Sequence, residues 1–254
     1  MKTIATATAI AALALGLLTA CASSEPREAA ETPSVAALAI PEGVVATADL
    51  LSLDGVTAGH VEATYDGENI LFSFPDFTTG AYAQLLFAFT DAELGTEDCF
   101  TDRYQIAFAY AVGQEELHPP TFGPSDFRGD PSFFSTLAVL EYPTGPMVEG
   151  ECWFKTLAVT PITWALPDLR PELVTADAGA GGGANGEVTL DNSGAPLTYL
   201  TKAGDTFPQI AARFGISTDD LLYLNPCRPA AYDPALAYTD ELLNLSKERR
   251  GARL

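Results

Sequence analysis

The sequence is poor in positive charge, and this shortage excludes one class of ligand. Its 254 residues include 13 Lys and Arg against 34 Asp and Glu, which gives a formal net charge of -21. Nucleic-acid binding needs a basic face for the phosphates, and binding to anionic lipid headgroups needs a polybasic patch. We therefore expect no nucleic-acid partner and no electrostatic attachment to a membrane. The acidity itself predicts a solvated, self-repelling surface that favours solubility.

Histidine is also scarce, and the common patterns of catalytic and metal sites are missing. His60 and His118 are the only histidines, and neither has a metal-ligand partner at helical or CxxC spacing. No GxSxG nucleophile elbow occurs. We therefore predict no catalytic residue, no metal ligand and no cofactor. A pair of carboxylates for glycoside hydrolysis stays open, because the many acids offer many pairs and only geometry decides among them.

A short apolar segment opens the chain. Residues 4–18 are almost wholly apolar or small, follow a single charge at Lys2, and lead into Leu18-Thr19-Ala20-Cys21. A run of this length is typical of an export signal and too short for a membrane span. The alternatives at its end are an ordinary cleaved signal and lipoprotein processing. Leu-Thr-Ala-Cys resembles the bacterial lipobox, which implies cleavage before Cys21 and attachment of acyl chains such as palmitate to that residue.

These features predict a signal peptide over residues 1–20 and an exported protein held by lipid on the extracytoplasmic face of a membrane. Acyl chains on Cys21 would anchor the protein without spanning the bilayer. Which membrane of the envelope carries the lipid stays open.

The next two segments differ sharply in pattern. Residues 21–40 are rich in Ala, Ser, Pro and Glu, a composition that predicts a disordered tether. Residues 41–170 show apolar residues at every second position, for example over 61–65, 70–74 and 85–89. Alternation of this kind, interrupted by prolines, predicts a β-sandwich-like domain with its own core. Its role cannot be read from the sequence.

Three cysteines remain once Cys21 is assigned to lipid. An exported chain permits disulfides, and Cys99 and Cys152 both belong to the β-rich region. We predict that these two pair, although three cysteines allow three pairings. Cys227 would then stay a thiol or form a bridge to another chain.

The remainder of the chain contains a Gly-rich segment, a segment with helix and strand signals, and a charged C-terminal segment. Residues 171–196 include a Gly-rich and Ala-rich run that predicts a flexible linker, so the flanking domains are expected to move independently. Residues 197–247 are predicted to form a strand, two helices and a strand, with helix-start signals at Thr206 and Ser217. Residues 248–254 are predicted to be a frayed, charged tail.

The C-terminal pattern resembles the LysM module, a family that binds glycans containing N-acetylglucosamine. The resemblance depends on YLTKAGDT from Tyr199, IAARFGIS from Ile210, LLYLNP from Leu221 and ELLNL from Glu241. Three departures occur: Phe207 replaces the usual Leu, the loop that begins at Cys227 is long, and Tyr238-Thr239-Asp240 replaces the usual Gly. The resemblance implies a small α+β (βααβ) fold. The predicted fold class is therefore multidomain, a mainly-β sandwich-like domain followed by a LysM module.

The family resemblance also implies a shallow glycan groove between two loops. One loop follows the first strand and the other follows the second helix. Carried over to this sequence, the groove residues are Gly204, Asp205, Thr206 and Phe207 on one side, and Asn225, Pro226, Cys227 and Arg228 on the other.

Charge is distributed unevenly between the two parts of the chain. From Thr198 onward there are seven acids and seven bases, whereas residues 21–197 hold 27 acids and five bases. Two functions fit these observations. In the first, a non-enzymatic lipoprotein joins a membrane through Cys21 to cell-wall peptidoglycan through its C-terminal module. In the second, residues 41–170 are an enzyme or a solute-binding domain that the module concentrates at the wall. The oligomeric state stays open.

Overall fold

The protein is represented by a computed structural model that describes residues 40–82, 84–91, 99–100, 106–111, 121–143, 145–146, 152, 154–228, 232–233 and 235–252. The predicted signal over residues 1–20, Cys21 and His118 lie outside the described residues. So does the predicted tether, except for Ile40.

Residues 40–169 are mostly β, and we call them the β-rich lobe. Large apolar side chains alternate with exposed ones along the strands. Ile70 and Phe72 are buried, for instance, while Leu71 and Ser73 are exposed, because successive side chains of a strand point to opposite faces. The strands are β1 (Gly43–Asp49), β2 (Leu51–Ser52), β3 (His60–Tyr65), β4 (Ile70–Ser73), β5 (Gln84–Thr90), β6 (Cys99–Phe100), β7 (Ile106–Ala111), β8 (Thr121–Phe122), β9 (Thr136–Glu141) and β10 (Phe154–Pro161).

The strands form two antiparallel sheets with a shared core. One sheet has the order β1-β3-β4-β8, and the other has the order β2-β10-β9-β5-β7 with β6 paired to β10. Aromatic rings from both sheets meet between them. Phe72 of the first sheet lies 4.8 Å from Phe89 of the second, centroid to centroid and edge to face, an arrangement that aromatic pairs favour. Burial of these rings holds the two sheets together.

Residues 170–252 form what we call the C-terminal lobe. Its three strands make one antiparallel sheet in the order β11-β12-β13, and its two helices share a core with that sheet. Tyr199, Phe207, Ile210, Phe214 and Leu243 are all 0% exposed in this core. The elements are β11 (Glu187–Leu190), β12 (Pro196–Leu200), α1 (Phe207–Arg213), α2 (Thr218–Leu224) and β13 (Leu242–Asn244).

The two helices begin differently. At α2 the Ser217 side chain accepts a hydrogen bond from the Asp220 amide, and the Asp220 carboxylate accepts one from the Ser217 amide, so the predicted start signal is a capping box. At α1 the Thr206 side chain makes no capping bond. The Gln209 amide donates to the Thr206 carbonyl instead. The Thr206 hydroxyl is therefore not used by the helix that it precedes.

The predicted fold class is wrong. The described residues are mostly β, with 35% of them in strands and 12% helical. Residues from Ala37 to Leu254 form one compact unit, and the described residues show no separate βααβ LysM module of the predicted kind. A third strand, β11, pairs with β12 in this part of the chain, with Val188 opposite Tyr199. The sequence signal for this hairpin is the turn Asp191–Gly194, where the Asp191 carboxylate accepts hydrogen bonds from the amides of Ser193 and Ala195.

The segment predicted as a flexible linker is also structured. Arg213 of α1 pairs with Asp177 through two nitrogens at 2.6 and 2.9 Å. It also donates to the carbonyls of Ala184 and Gly186 at 2.9 and 3.1 Å. One arginine thus bonds two backbone carbonyls of the Gly-rich run. Composition favours a coil here, but these long-range contacts override it.

The predicted independence of the two lobes is contradicted by a buried cluster that joins them. We call Asp130, Phe133, Tyr223 and Arg250 the Arg250 junction. The Tyr223 hydroxyl donates to Asp130 at 2.6 Å, and Arg250 donates to the carbonyls of Tyr223 at 2.8 Å and Asp130 at 2.7 Å. The Arg250 guanidinium carbon lies 4.1 Å from the Tyr223 ring centroid and 4.9 Å from that of Phe133. Arg250 belongs to the predicted frayed tail, but it is buried: its Nε and Nη2 donate to carbonyls, and its guanidinium lies against two aromatic rings.

Ion pairs near the start of α2 add to this connection. Arg128 of the β-rich lobe pairs with Asp219 at 3.1 Å, and Lys247 pairs with Asp168 at 2.6 Å. Within the C-terminal lobe, Arg170 pairs with both Asp219 and Asp220. Within the described residues, no helix is long and apolar enough to cross a membrane.

Candidate functional site

The cysteine pair in the β-rich lobe is bonded as predicted. Cys99 and Cys152 form a disulfide across 53 positions of sequence. Cys99 belongs to β6, which pairs with β10 through Cys99 opposite Lys155. The disulfide therefore fastens the short strand β6 to the long strand next to it.

The first predicted groove loop combines exposed and buried residues. Gly204 and Thr206 are exposed, whereas Asp205 is only 7% exposed. The Asp205 carboxylate accepts hydrogen bonds from the Tyr199 hydroxyl at 2.5 Å, the Asn185 amide at 2.7 Å and the Lys202 amide at 2.9 Å. Asp205 therefore braces the loop from inside, and its carboxylate is not presented to a ligand.

The electrostatics of this contact follow from burial and hydrogen bonding. Burial alone raises the pKa of Asp205, but the bonds from the Asn185 amide, the Tyr199 hydroxyl and the Lys202 amide outweigh it and hold the pKa below its ordinary value. Burial and the bond to Asp205 raise the pKa of Tyr199 to about 12. The pair is thus a charged carboxylate with a neutral phenol donor.

Phe207 and Arg228 bring the two predicted loops together. The Phe207 ring is fully buried, and the Arg228 guanidinium carbon lies 4.3 Å from its centroid. Arg228 also makes a two-point ion pair with Glu241 at 2.5 and 3.0 Å, and both side chains are less than one-tenth exposed. A stacked, paired guanidinium of this kind is held in one orientation. Arg228 therefore lies buried between the two loops and holds them together.

The remaining residues of the second loop are mainly structural. The Asn225 side chain donates to the carbonyls of Leu221 at 2.8 Å and Asn244 at 2.9 Å, and accepts from the Asn244 amide at 2.7 Å. Pro226 is half-buried. Cys227 packs against the core of the β-rich lobe, and its thiol donates to the Gly251 carbonyl at 3.4 Å. This side of the predicted groove therefore faces partly inward.

Two tyrosines beside Arg228 were missed by the sequence prediction. Tyr232 and Tyr238 stack with ring centroids 4.0 Å apart and an interplanar angle of 22°, and both are half-buried. The Arg228 guanidinium carbon lies 5.5 Å from the Tyr232 centroid. The long loop and the Tyr238 departure were visible in the sequence, but the stacking depends on how the loop folds back on itself.

We call Gly204, Thr206, Tyr232 and Tyr238 the loop surface, with Arg228 beneath it. It offers an exposed hydroxyl at Thr206, the backbone of the Gly204 turn, and two half-exposed phenols. Aromatic rings with a few placed polar groups are the usual lining of a small-molecule site. An aromatic ring can also receive the apolar face of a sugar while polar groups bond its hydroxyls.

Metal-binding clusters were a further candidate in the part of the chain that is described. No group of three or more His, Cys, Asp and Glu side chains there converges in a way that could hold a metal ion. His60 is paired with Asp49, with Nδ1 2.7 Å from the carboxylate. The predicted lipid-bearing Cys21 lies outside the described residues.

Comparisons of the chain with protein-family models, with curated proteins and with solved structures give no match. The LysM-like and lipobox-like patterns therefore stay predictions from the residues.

Proposed function

We propose that this chain is an exported lipoprotein whose loop surface binds cell-wall glycan that contains N-acetylglucosamine. Acyl chains on Cys21 would hold it to a membrane on the extracytoplasmic face. Peptidoglycan and the lipid bilayer are the two partners of this proposal.

The observation that supports the proposal most is the contact between Arg228 and Phe207. It holds the loop before α1 against the loop after α2, the two loops that the sequence pattern assigns to glycan. The Thr206 hydroxyl is free of any capping bond, and Tyr232 lies next to Arg228. A neutral sugar meets no electrostatic barrier here, because residues from Thr198 onward balance seven acids with seven bases.

Attachment through both the lipid and the loop surface would explain how a weak glycan contact can give lasting attachment to the wall. Once the acyl chains sit in a membrane, the glycan contact becomes effectively intramolecular, and the tether sets its effective concentration. A shallow surface of modest affinity can then give long-lived attachment.

A pelleting assay with purified cell-wall sacculi tests the glycan contact. We expect the chain without residues 1–21 to pellet with sacculi. Thr206→Ala and Tyr232→Ala should each weaken binding about three- to tenfold, because each removes one direct contact to the sugar. Thr189→Ala, exposed on β11, and Tyr142→Ala, half-exposed in the β-rich lobe, are matched controls that should bind like the unchanged chain.

Two results would contradict the glycan proposal. One is no pelleting of the unchanged chain, and the other is equal pelleting of the loop-surface variants and their controls.

The lipid anchor is tested separately by labelling cells with a radioactive fatty acid. We expect label in the unchanged protein and none in Cys21→Ala. Label that persists in Cys21→Ala would overturn the assignment of Cys21 as the acylated residue.

A further inference from the structure

The stacked rings of Tyr232 and Tyr238 allow a reaction that glycan binding does not use. Their centroids lie 4.0 Å apart with 22° between the ring planes, and both side chains are only half-buried, so solvent reaches them. The chain has nine tyrosines, but among the described residues this is the one pair whose rings stack on each other. A reaction that needs two phenols in contact would therefore be selective for this pair.

The surrounding contacts hold the two rings in this arrangement. The Tyr238 amide donates to the Glu241 carboxylate at 3.2 Å, and the Tyr238 carbonyl accepts a hydrogen bond from the Thr201 hydroxyl. Next to the other ring, the Arg228 guanidinium carbon lies 5.5 Å from the Tyr232 centroid. Arg228 and Glu241 are themselves joined by a buried ion pair, so the two sides of the loop are tied together. The ring stack is therefore part of the folded loop.

The hydroxyl of Tyr238 is bonded differently from those of the buried tyrosines. Tyr199 and Tyr223 are buried, and their hydroxyls donate to carboxylates. The Tyr238 hydroxyl instead accepts a hydrogen bond, from the Asp233 amide at 3.0 Å. A phenol can accept one bond and still donate its own proton. The Tyr238 proton is not used in the bond from Asp233 and can pass to solvent when the ring is oxidised.

Two phenols in contact can be joined by one-electron oxidation. Removal of one electron and one proton from each phenol gives two phenoxyl radicals, whose unpaired electrons are shared between the oxygen and the neighbouring ring carbons, the Cε atoms. A bond then forms between one Cε atom of each ring. The hydrogen on each joined carbon moves to the phenol oxygen, so both hydroxyls are restored. Holding the two partners together raises their effective concentration far above that of separate molecules.

We propose that Tyr232 and Tyr238 form an oxidative cross-linking site, at which a haem peroxidase supplied with hydrogen peroxide joins the two rings as dityrosine. The rings give up two electrons and two protons in total, and one molecule of hydrogen peroxide takes them up to become two molecules of water. The new bond closes a covalent ring between residues 232 and 238 and fixes this part of the loop surface in its folded conformation. The site does not depend on the glycan proposal, because the ring stack alone supplies its geometry.

Treatment of the purified chain with a haem peroxidase and hydrogen peroxide, followed by a protease that cuts before aspartate, tests the site. Asp233 lies between the two tyrosines in the sequence, so they leave in separate peptides unless a bond joins them. We expect one joined species whose mass is that of the two peptides less two hydrogen atoms, with the blue fluorescence of dityrosine. Its yield per chain should stay the same when the protein is diluted about tenfold, because the reaction occurs within one chain.

Variants and a peptide separate the pair from other tyrosines and the fold from nearness in sequence. Tyr232→Phe and Tyr238→Phe each keep the ring but remove the hydroxyl, and each should abolish the joined species. Tyr142→Phe removes a tyrosine that is 37% exposed in the β-rich lobe and should leave the yield unchanged. A synthetic peptide of residues 229–241 lacks the contacts that hold the stack, so it should give at least about tenfold less product at the same concentration.

Several results would overturn the proposal: no joined species, a yield that falls on dilution, or cross-links that form mainly at other tyrosines. A yield from the synthetic peptide equal to that from the folded chain would also overturn it, because the stack would then have no role. The sacculus assay involves no oxidant, so failure of one proposal is distinguishable from failure of the other.

Discussion

Asp130→Ala is the substitution that most directly tests how the two lobes are held together. Its carboxylate accepts the Tyr223 hydroxyl at 2.6 Å and the Ser132 amide at 2.9 Å, and it lies 3.4 Å from Nη1 of Arg250. The side chains of Asp130 and Arg250 are both only 5% exposed. The substitution would therefore leave a buried guanidinium with no opposite charge.

The cost follows from that burial. Removing one partner of a buried ion pair destabilises a protein by about 3–5 kcal/mol. The losses at Tyr223 and Ser132 share the same carboxylate and do not simply add, so we expect about 4 kcal/mol in total. Tyr223→Phe removes one hydrogen bond to a charged group and leaves no donor unsatisfied, so about 2 kcal/mol is expected. Glu172→Ala, at an exposed position, should stay within about 0.5 kcal/mol.

Urea unfolding with two probes measures the loss in free energy of unfolding and shows whether the two lobes still unfold together. Both tryptophans belong to the β-rich part of the sequence, so their fluorescence reports on that lobe. Far-ultraviolet circular dichroism at the helix minimum reports on α1 and α2. The two curves should coincide in the unchanged chain, as expected for one cooperative unit, and separate in Asp130→Ala.

A small loss would refute this reasoning. If Asp130→Ala unfolds at the same urea concentration as Glu172→Ala with coincident probes, the junction does not couple the lobes.

Three further predictions concern local structure. Cys152→Ser opens the disulfide loop and should lower the free energy of unfolding by about 4 kcal/mol on the chain-entropy model, measured by urea unfolding against the unchanged oxidised chain. Gly186→Ala should destabilise by about 2 kcal/mol or more, since its methyl group would collide with the Leu200 carbonyl oxygen and the Tyr199 ring. Gly181→Ala, with open space around it, is the control in the same thermal melt, and equal melting temperatures would contradict the packing. Asp205→Asn addresses pH. The folded pKa of Asp205 lies below its ordinary value of 3.8, so its stabilisation is present above about pH 4 and is lost as pH falls through the folded pKa; the variant should show a shallower loss of stability between about pH 4 and 2, and identical acid unfolding curves would contradict the prediction.

Individual strands could be predicted from the sequence where one face of the strand is buried and the other is exposed to solvent. The alternating residues near Val61 and Ile70 fall in β3 and β4, because period two is a direct consequence of strand geometry. The capping box at Ser217 was also readable, since its two partners are three positions apart. The disulfide could be proposed because only three cysteines remained to choose from.

Features that depend on distant contacts could not be predicted. Arg250 and Asp130 are 120 positions apart in the chain, and a charged C-terminal segment ordinarily favours water. β11 was hidden because glycines before it suggested a linker, although its turn at Asp191 was a local signal that could have been used. For a similar reason, the sequence predicted that Asp205 and Asn225 would contact a glycan. Their residue types suit ligand contacts, but their side chains bond to other parts of the same lobe.

The Arg250 junction also decides how this protein can be cut for study. A fragment that ends at residue 247 discards Arg250 and uncovers the Tyr223 ring against which it packs. A fragment that ends at residue 170 retains Asp130 and Phe133 but lacks their partners Tyr223 and Arg250. Each fragment would expose a partly apolar surface that is buried in the intact protein. Aggregation of an isolated fragment would therefore result from the cut and would not be a property of the intact molecule. Boundaries drawn on glycine content therefore separate the two sides of the Arg250 junction.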